Sequence, residues 1–434
     1  LKIPGFIQNN LLLKMTSLNA GAIVVRLFIS AIIQRLLTEY VGPVGQYKVG
    51  QLRSLALLLT SITSLGTFNG VVKYIAEHRT DEIKLQRLFS SVFVFIIIGV
   101  FITTPALLIF SDDISVRLFS STEYSFLIKL TAVVVPFIAI QRVFNGVING
   151  LSEYRKYVKI DLISYLVSAV LIVVFLFLYN LNGVLVAIAI TPVVQVSVLL
   201  FFFYRILRQY IQFKNLKLQA PMARVLLAFT VMSLVSSILL PIVEIDIRSM
   251  LDAKLSGRDA GVWTNMTFIS SNYMVFSASI FTLYVIPKFA GIHSAKDFKK
   301  EVFSIYKTLL PLFAGGMILV FLCRYVIIDM IYPGQVEMAP LFKWQLMGDF
   351  IRLASLVLVH QFLAKKLVIN FVFTEIMSLL LFYVFAYYFT DIYGIEGVVI
   401  AHFLRYILYF ILVIFLVFRY FRKQNRISKG ETSE

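Results

Sequence analysis

Among the ionisable side chains inside long apolar runs of this sequence, eight are candidates for function: Arg26, Arg53, Arg142, Asp349, Arg352, Glu375, His402 and Arg405. A charge held in an apolar medium costs roughly 2.5 kcal/mol or more even on lenient insertion scales, so such groups face a polar interior and mark a pathway or a binding site. Arg26 lies about 11 residues into its run, roughly 16 Å deep at 1.5 Å per residue, too far for easy snorkelling to the interface. Arg142 sits two thirds of the way along its run and Arg53 about one turn inside another. No acid stands three or four residues from Arg26, Arg142 or Arg405. Their surplus positive charge suits an anionic ligand, and the guanidinium fork suits phosphate oxygens in particular. A pyrophosphate fits that description.

The remaining charges admit two readings each. Asp349 with Arg352, and His402 with Arg405, have i, i+3 spacing and share a helix face. The first pair is either a structural ion pair that cancels its own charge or part of a working site. Glu375 either takes up a proton or cation for coupling or pairs with Lys365 or Lys366; Asp349, Glu375 and His402 are the candidates for coupling or gating. Glu244, Asp246 and Arg248 stand at the outer end of their run, where solvation explains them. Asn265, Thr267, Ser270, Ser271 and Asn272 either line a hydrated cavity that bonds sugar hydroxyls or bond helix to helix. The single cysteine, Cys323, leaves no disulfide framework, and His78, His293, His360 and His402 share no ligand spacing. No metal centre, cofactor or catalytic residue is expected; a coupling H+ or Na+ is the one small ion in view.

The elements that must position these groups follow from composition. Hydrophobic residues make up 59% of the chain and charged residues 15%, against roughly 45–50% and 25% for soluble domains. Apolar runs of about 20 residues recur from end to end, each able to cross a hydrocarbon core of about 30 Å as a helix. The ~10-residue alternation of a membrane β-barrel is absent, which excludes that class. Hydropathy places spans near 15–37, 49–75, 88–110, 124–150, 158–179 and 183–204, then near 223–245, 261–287, 306–331, 339–363, 367–389 and 394–418. The prediction is an all-α membrane protein of about twelve helices. Residues 1–14 lack a long apolar region and a small-residue cleavage site and read as a retained tail, with a second tail at 419–434.

The net charge of +17 raises the question of nucleic acid. Its distribution answers it, because Lys and Arg crowd alternate connections: 73–87, 155–159, 205–217, 288–307, 365–366 and the tail from Arg419 to Lys429. That is the bias of cytoplasmic loops, so both termini are expected in the cytoplasm and anionic lipid headgroups are the natural partner. No soluble basic domain exists to bind nucleic acid.

At an offset near 214 residues the two halves come into register, as a duplicated unit would. Gly183-Val184-Leu185-Val186-Ala187 opens the sixth span and Gly397-Val398-Val399-Ile400-Ala401 the twelfth; Asp161 and Glu375 occupy equivalent points of the fifth and eleventh. The expected architecture is two six-helix lobes, 15–204 and 223–418, facing each other across a central cleft. The linker 205–222 is either an amphipathic cytoplasmic helix or a solvated segment.

Three stretches carry a resemblance: Gly42-Pro43-Val44-Gly45 in the first outer loop, Phe68-Asn69-Gly70-Val71-Val72-Lys73-Tyr74 ending the second span, and Trp344-Gln345-Leu346-Met347-Gly348-Asp349 entering the tenth. With twelve spans, the chain resembles the Wzx-type flippases of the multidrug/oligosaccharidyl-lipid/polysaccharide superfamily, especially the enterobacterial common antigen (lipid III) branch that stands beside the O-antigen flippases. The resemblance implies a transporter of the bacterial inner membrane that carries undecaprenyl-diphosphate-linked oligosaccharide from the cytoplasmic to the periplasmic leaflet by alternating access, for surface polysaccharide biosynthesis. It implies a cationic cavity in which Arg26, Arg53 and Arg352 match basic positions of the family and Asp349 matches its tenth-span acid; Arg405 has no such counterpart. A polysaccharide polymerase and a chain-length regulator are the candidate protein partners of an expected monomer. The rival readings are a small-molecule or drug exporter of the same superfamily, whose cleft should favour acids, and a membrane-embedded polymerase or glycosyltransferase, which needs a larger extracytoplasmic loop than any here.

Overall fold

A computed structural model describes residues 11–428 apart from 80, 152–153, 212–215 and 293; His293, one of the histidines considered above, lies outside the described residues. All regular structure among them is helical. In chain order the helices are α1 Leu11–Thr63, α2 Phe68–Glu77, α3 Glu82–Ile109, α4 Ser111–Phe119, α5 Ser125–Gly150, α6 Tyr154–Tyr210 and α7 Ala223–Lys254. They continue with α8 Gly257–Ile280, α9 Ile286–Ala290, α10 Ala295–Leu322, α11 Arg324–Ile331, α12 Leu341–Ala364, α13 Val368–Tyr393 and α14 Ile395–Ser428.

Two of these helices are each two spans joined by a tight turn. In α1 the turn is Gly42, at φ 63° and ψ −175°, a left-handed conformation that glycine enters without a Cβ clash. Pro43 follows, where its missing N–H costs nothing at a helix start. In α6 the turn is Asn180, at φ 52° and ψ −135°. Among the described residues, eight helices are long and apolar enough to cross a membrane before either is divided. Division at the two turns, with α7 and α8 added, accounts for twelve membrane-length helices.

The duplication is visible in the backbone. Gly394, which joins α13 to α14, has φ 57° and ψ −138°, within a few degrees of Asn180, 214 positions earlier. A Cβ on Gly183 would fall 2.1 Å from the Phe175 carbonyl oxygen, and one on Gly397 would fall 2.2 Å from that of Phe389. Both glycines therefore permit the same close return of the chain. The third and ninth spans also start alike: Asp81 accepts from the Lys84 backbone N–H at 3.0 Å and Ser294 from that of Asp297 at 3.0 Å, each capping an orphan donor of the first turn. That Lys84 N–H holds the Asp81 carboxyl below its ordinary range.

Two spans expected to be continuous are broken. The second ends at Thr63, and 64–67 form a turn in which Leu65 and Gly66 take positive φ. Ser64 Oγ there bonds the Thr60 carbonyl at 2.8 Å, the local competition with the helix ladder expected of serine and threonine. Helix α3 crosses at this break on Gly99, whose Cβ would lie 2.4 Å from the Thr63 carbonyl. The ninth breaks at Cys323, leaving α11 as a separate short helix.

Contacts divide the chain into two compact units, Leu1–Ser249 and Met250–Glu434, with the division inside α7. The first unit packs around Leu37, Leu127, Val135 and Val184, with a second cluster around Val71, Ile75, Leu88 and Val147. The C-terminal half of α7 is bonded into this unit: Gln51 donates to the Ile245 carbonyl at 3.1 Å and to Ser249 at 2.9 Å. Arg248, only 4% exposed, donates to Ser54 at 2.9 Å and pairs with Glu244 at 3.3 Å. Solvation was expected to explain Glu244 and Arg248; helix-to-helix bonding does so instead. In the second unit Phe342, Leu353, Val357, Val398, Val399 and Val413 are fully buried between α12 and its neighbours.

Candidate functional site

The second unit gathers five of the eight candidate ionisable residues. Helix α12 presents Gln345, Asp349 and Arg352 at i, i+4 and i+7, one stripe of its surface. Asp349 is wholly buried. Its carboxylate accepts from Ser270 Oγ and Tyr273 Oη of α8 and from Gln345 Nε2 at 3.1 Å. His402 of α14 brings Nε2 to 3.0 Å, and the Arg352 guanidinium stands at 3.9 Å. A carboxylate this deep persists only where its lone pairs are filled and its charge is opposed, and here both conditions are met from three helices. The approach of His402 depends on the absence of a side chain at Gly348, where a Cβ would lie 2.5 Å from His402 Cδ2.

Tyr406 links this carboxylate to the next cation. Its ring lies 5.8 Å from the Arg352 guanidinium and 4.3 Å from that of Arg405, and its hydroxyl accepts from Arg405 Nη2 at 2.6 Å. Arg405 is 4% exposed and also lies 4.3 Å over the Phe382 ring. Its Nε and Nη1 have no hydrogen-bond partner among the described residues. Tyr406 packs edge-on against Tyr409, which donates to Glu375 at 2.8 Å. Glu375 thus forms no ion pair with Lys365, whose ammonium donates to the Ala290 carbonyl. The cluster can hold protons on paired acceptors and, at Arg405, offers two buried N–H donors to an oxyanion.

Arg26, Arg53 and Arg142 belong to the first unit. Arg26 has the acid its own helix lacks: Asp161 of α6 pairs with it at 2.9 Å, with the two side chains 37% and 38% exposed. Tyr165, one turn on, lies 4.9 Å beneath the guanidinium and donates to the Arg26 carbonyl at 3.3 Å. The surplus charge assigned to Arg26 from sequence is therefore balanced in the fold. Arg142 lies over the Phe68 ring at 3.9 Å, a cation–π contact with the residue that opens α2. Arg53 is half-buried on the second arm of α1 and engages neighbouring groups.

Sequence reasoning named Ser270 and Gln345 but assigned no part to Tyr273, Tyr406, Tyr409 or Gly348. Spacing offered a signal for three of them: Tyr273 is i+3 from Ser270, and Tyr406 and Tyr409 sit at i+1 and i+4 from Arg405. Gly348 carried none, since its role exists only against α14. Among the described residues no three His, Cys, Asp or Glu side chains converge as metal ligands.

Over 416 residues the chain is 26% identical to the lipid III flippase of Escherichia coli K12, covering 94% of this chain and 99% of the relative, and equally to that of Shigella flexneri. Its fold matches an inward-facing MATE-family multidrug transporter of the MOP superfamily with TM-score 0.71 at 16% identity, over 92% of this chain and 99% of the other. It matches the lipid II flippase MurJ in an inward closed conformation with TM-score 0.70 at 15% identity, over 96% and 93%. These relatives are flippases and transporters by name, and the structural matches show that the chain shares the all-helical fold of the two solved structures. The family model described as polysaccharide biosynthesis protein matches residues 12–293, well over half of the sequence, and the chain belongs to that family.

Proposed function

We propose that this protein is a flippase for a lipid-linked oligosaccharide, moving the repeat unit of a cell-surface polysaccharide across the inner membrane on an undecaprenyl diphosphate carrier. The observation that carries the reading is the end-to-end similarity to lipid III flippases, which spans 94% of this chain. Two arginines of the second unit support it. Arg405 offers unfilled donors, and Arg352 lies against the same tyrosine. A diphosphate has the charge and the paired oxygens to exploit such groups. Arg26, Arg53 and Arg142 are the proposed contacts from the first half, with residues 15–204 and 223–418 as the two six-helix lobes, both termini cytoplasmic and alternating access as the mode of transport. Asp349, Glu375 and His402 are the proposed coupling or gating groups, with H+ or Na+ as the coupling ion. The protein acts as a monomer beside a polysaccharide polymerase and a chain-length regulator, and the repeat unit is a common-antigen, O-antigen or capsule unit.

The test is complementation. Wild type and the variants Arg26→Ala, Arg142→Ala, Arg352→Ala and Arg405→Ala are expressed at matched membrane levels in strains lacking each class of lipid-linked oligosaccharide flippase, and surface polysaccharide is scored. Wild type should restore one strain. A charge-assisted hydrogen bond is worth about 1.5–3 kcal/mol, so loss of a phosphate contact should cut export by about tenfold or more. Full activity of every variant would remove the arginines from the mechanism, and failure of wild type in all strains would overturn the flippase reading.

A further inference from the structure

Helix α12 has a second working face. Opposite the Gln345, Asp349 and Arg352 stripe, it contributes Lys343, Leu346 and Phe350 to a groove of about 400 Å³, closed by Ala314, Met317 and Phe321 of α10 and by Phe403 of α14. Lys343 is the one charged residue in that lining, and from Lys343 to Ile351 the groove follows about 12 Å of helix.

Two features set this groove apart from an ordinary apolar face. Positive charge gathers at its lining with no described acid to meet it. Lys343 in the lining contacts the Trp344 ring at 4.8 Å, and Arg324, just outside it, lies 4.1 Å over the ring of the lining residue Phe321 while donating to the Phe321 carbonyl. Neither forms an ion pair with a described carboxylate. The second feature is that Ala314 is followed by Gly315 and Gly316 in mid-helix, where a Cβ at either glycine would meet nothing within 4 Å. Consecutive glycines cost a helix about 1 kcal/mol each relative to alanine, and no close protein contact here requires them.

We propose that the groove binds one acyl chain of an anionic phospholipid, with its phosphodiester held between Lys343 and Arg324. The chemistry matches part by part: an apolar groove for the chain, one cation in its lining with a second against Phe321, and Trp344 beside Lys343, a residue type that favours headgroup level. A singly charged phosphodiester is enough for two cations that each already lie against a ring of their own. The lipid would brace α12 on the face opposite Asp349, so its occupancy bears on the polar cluster without touching it.

The full-length protein is reconstituted in bilayers of phosphatidylcholine containing either phosphatidylglycerol or phosphatidylcholine with a photoreactive acyl chain, and labelled peptides are mapped. Label from phosphatidylglycerol should concentrate on 314–321 and 346–351 above the rest of the membrane belt. Lys343→Gln should lower it about fivefold, the weight of one lysine contact to an anionic lipid, and leave phosphatidylcholine labelling unchanged. Ala314→Trp, which fills the groove, should abolish the enrichment for either lipid. Uniform labelling around the belt, equal labelling by the two lipids, or an unaltered pattern in both variants would overturn the proposal. Displacement of the label by a polyprenyl phosphate at equal concentration would assign the groove to the carrier chain instead and overturn it equally. Thermal stability of both variants, measured in parallel, separates a filled groove from a misfolded protein.

Discussion

The Arg26–Asp161 pair and the Asp349 cluster solve the same problem in opposite ways. In the first unit one cation meets one acid, each over a third exposed at the protein surface. In the second, a carboxylate with no exposure draws on Ser270, Tyr273, Gln345, His402 and Arg352, while Arg405 nearby is left with two unfilled donors. An exposed pair can exchange partners at little cost, because solvent replaces what is lost. A buried network cannot, since every removed member strands another. The first arrangement suits a contact that opens and closes; the second suits a fixed framework that keeps one cation available.

Substitutions sharpen this contrast. The largest effect on stability should come from Asp349→Ala, which strands His402 and Arg352 beside an empty site; breaking a buried charged set costs about 3–5 kcal/mol, to be read as a fall in thermal midpoint of the purified protein. Gly348→Ala should follow. Its methyl group must displace His402, and overpacking of this kind costs about 1–3 kcal/mol; a normal midpoint would show that α12 and α14 are looser than the contact requires. Arg26→Gln and Asp161→Asn should each change stability by no more than about 1 kcal/mol, the range of solvent-exposed pairs, and a double-mutant cycle would measure their coupling. A coupling as large as that of Asp349 with His402 would erase the distinction. Smallest of all should be Arg405→Met, where an apolar side chain of similar length replaces a half-satisfied guanidinium and stability stays level or rises. Export should nevertheless fall about tenfold if the donors bind phosphate. A variant that is both stable and fully active would leave Arg405 with no role in transport.

Much of this protein could be read along the chain. Recurring apolar runs located the twelve helices, because the cost of unpaired backbone groups in hydrocarbon leaves a spanning segment little choice of structure. The offset of 214 residues, found from Gly183 and Gly397, reappeared as matching backbone angles at Asn180 and Gly394. The breaks at 64–67 and Cys323 leave no mark on hydropathy, which averages over a window and does not register a local turn. All eight charged positions were identifiable, since an ion in an apolar run is conspicuous wherever it points.

What the sequence could not disclose was which of those charges meet. Arg26 looked unpaired because its acid lies 135 positions away, and Asp349 looked paired with Arg352 although His402, 53 positions on, comes closer. Local composition and periodicity determined the helices, since those depend on each segment's own exchange of water for lipid. Pairing across helices was decided by tertiary packing alone, because it depends on how each helix is rotated and how closely glycines such as Gly348 let another approach.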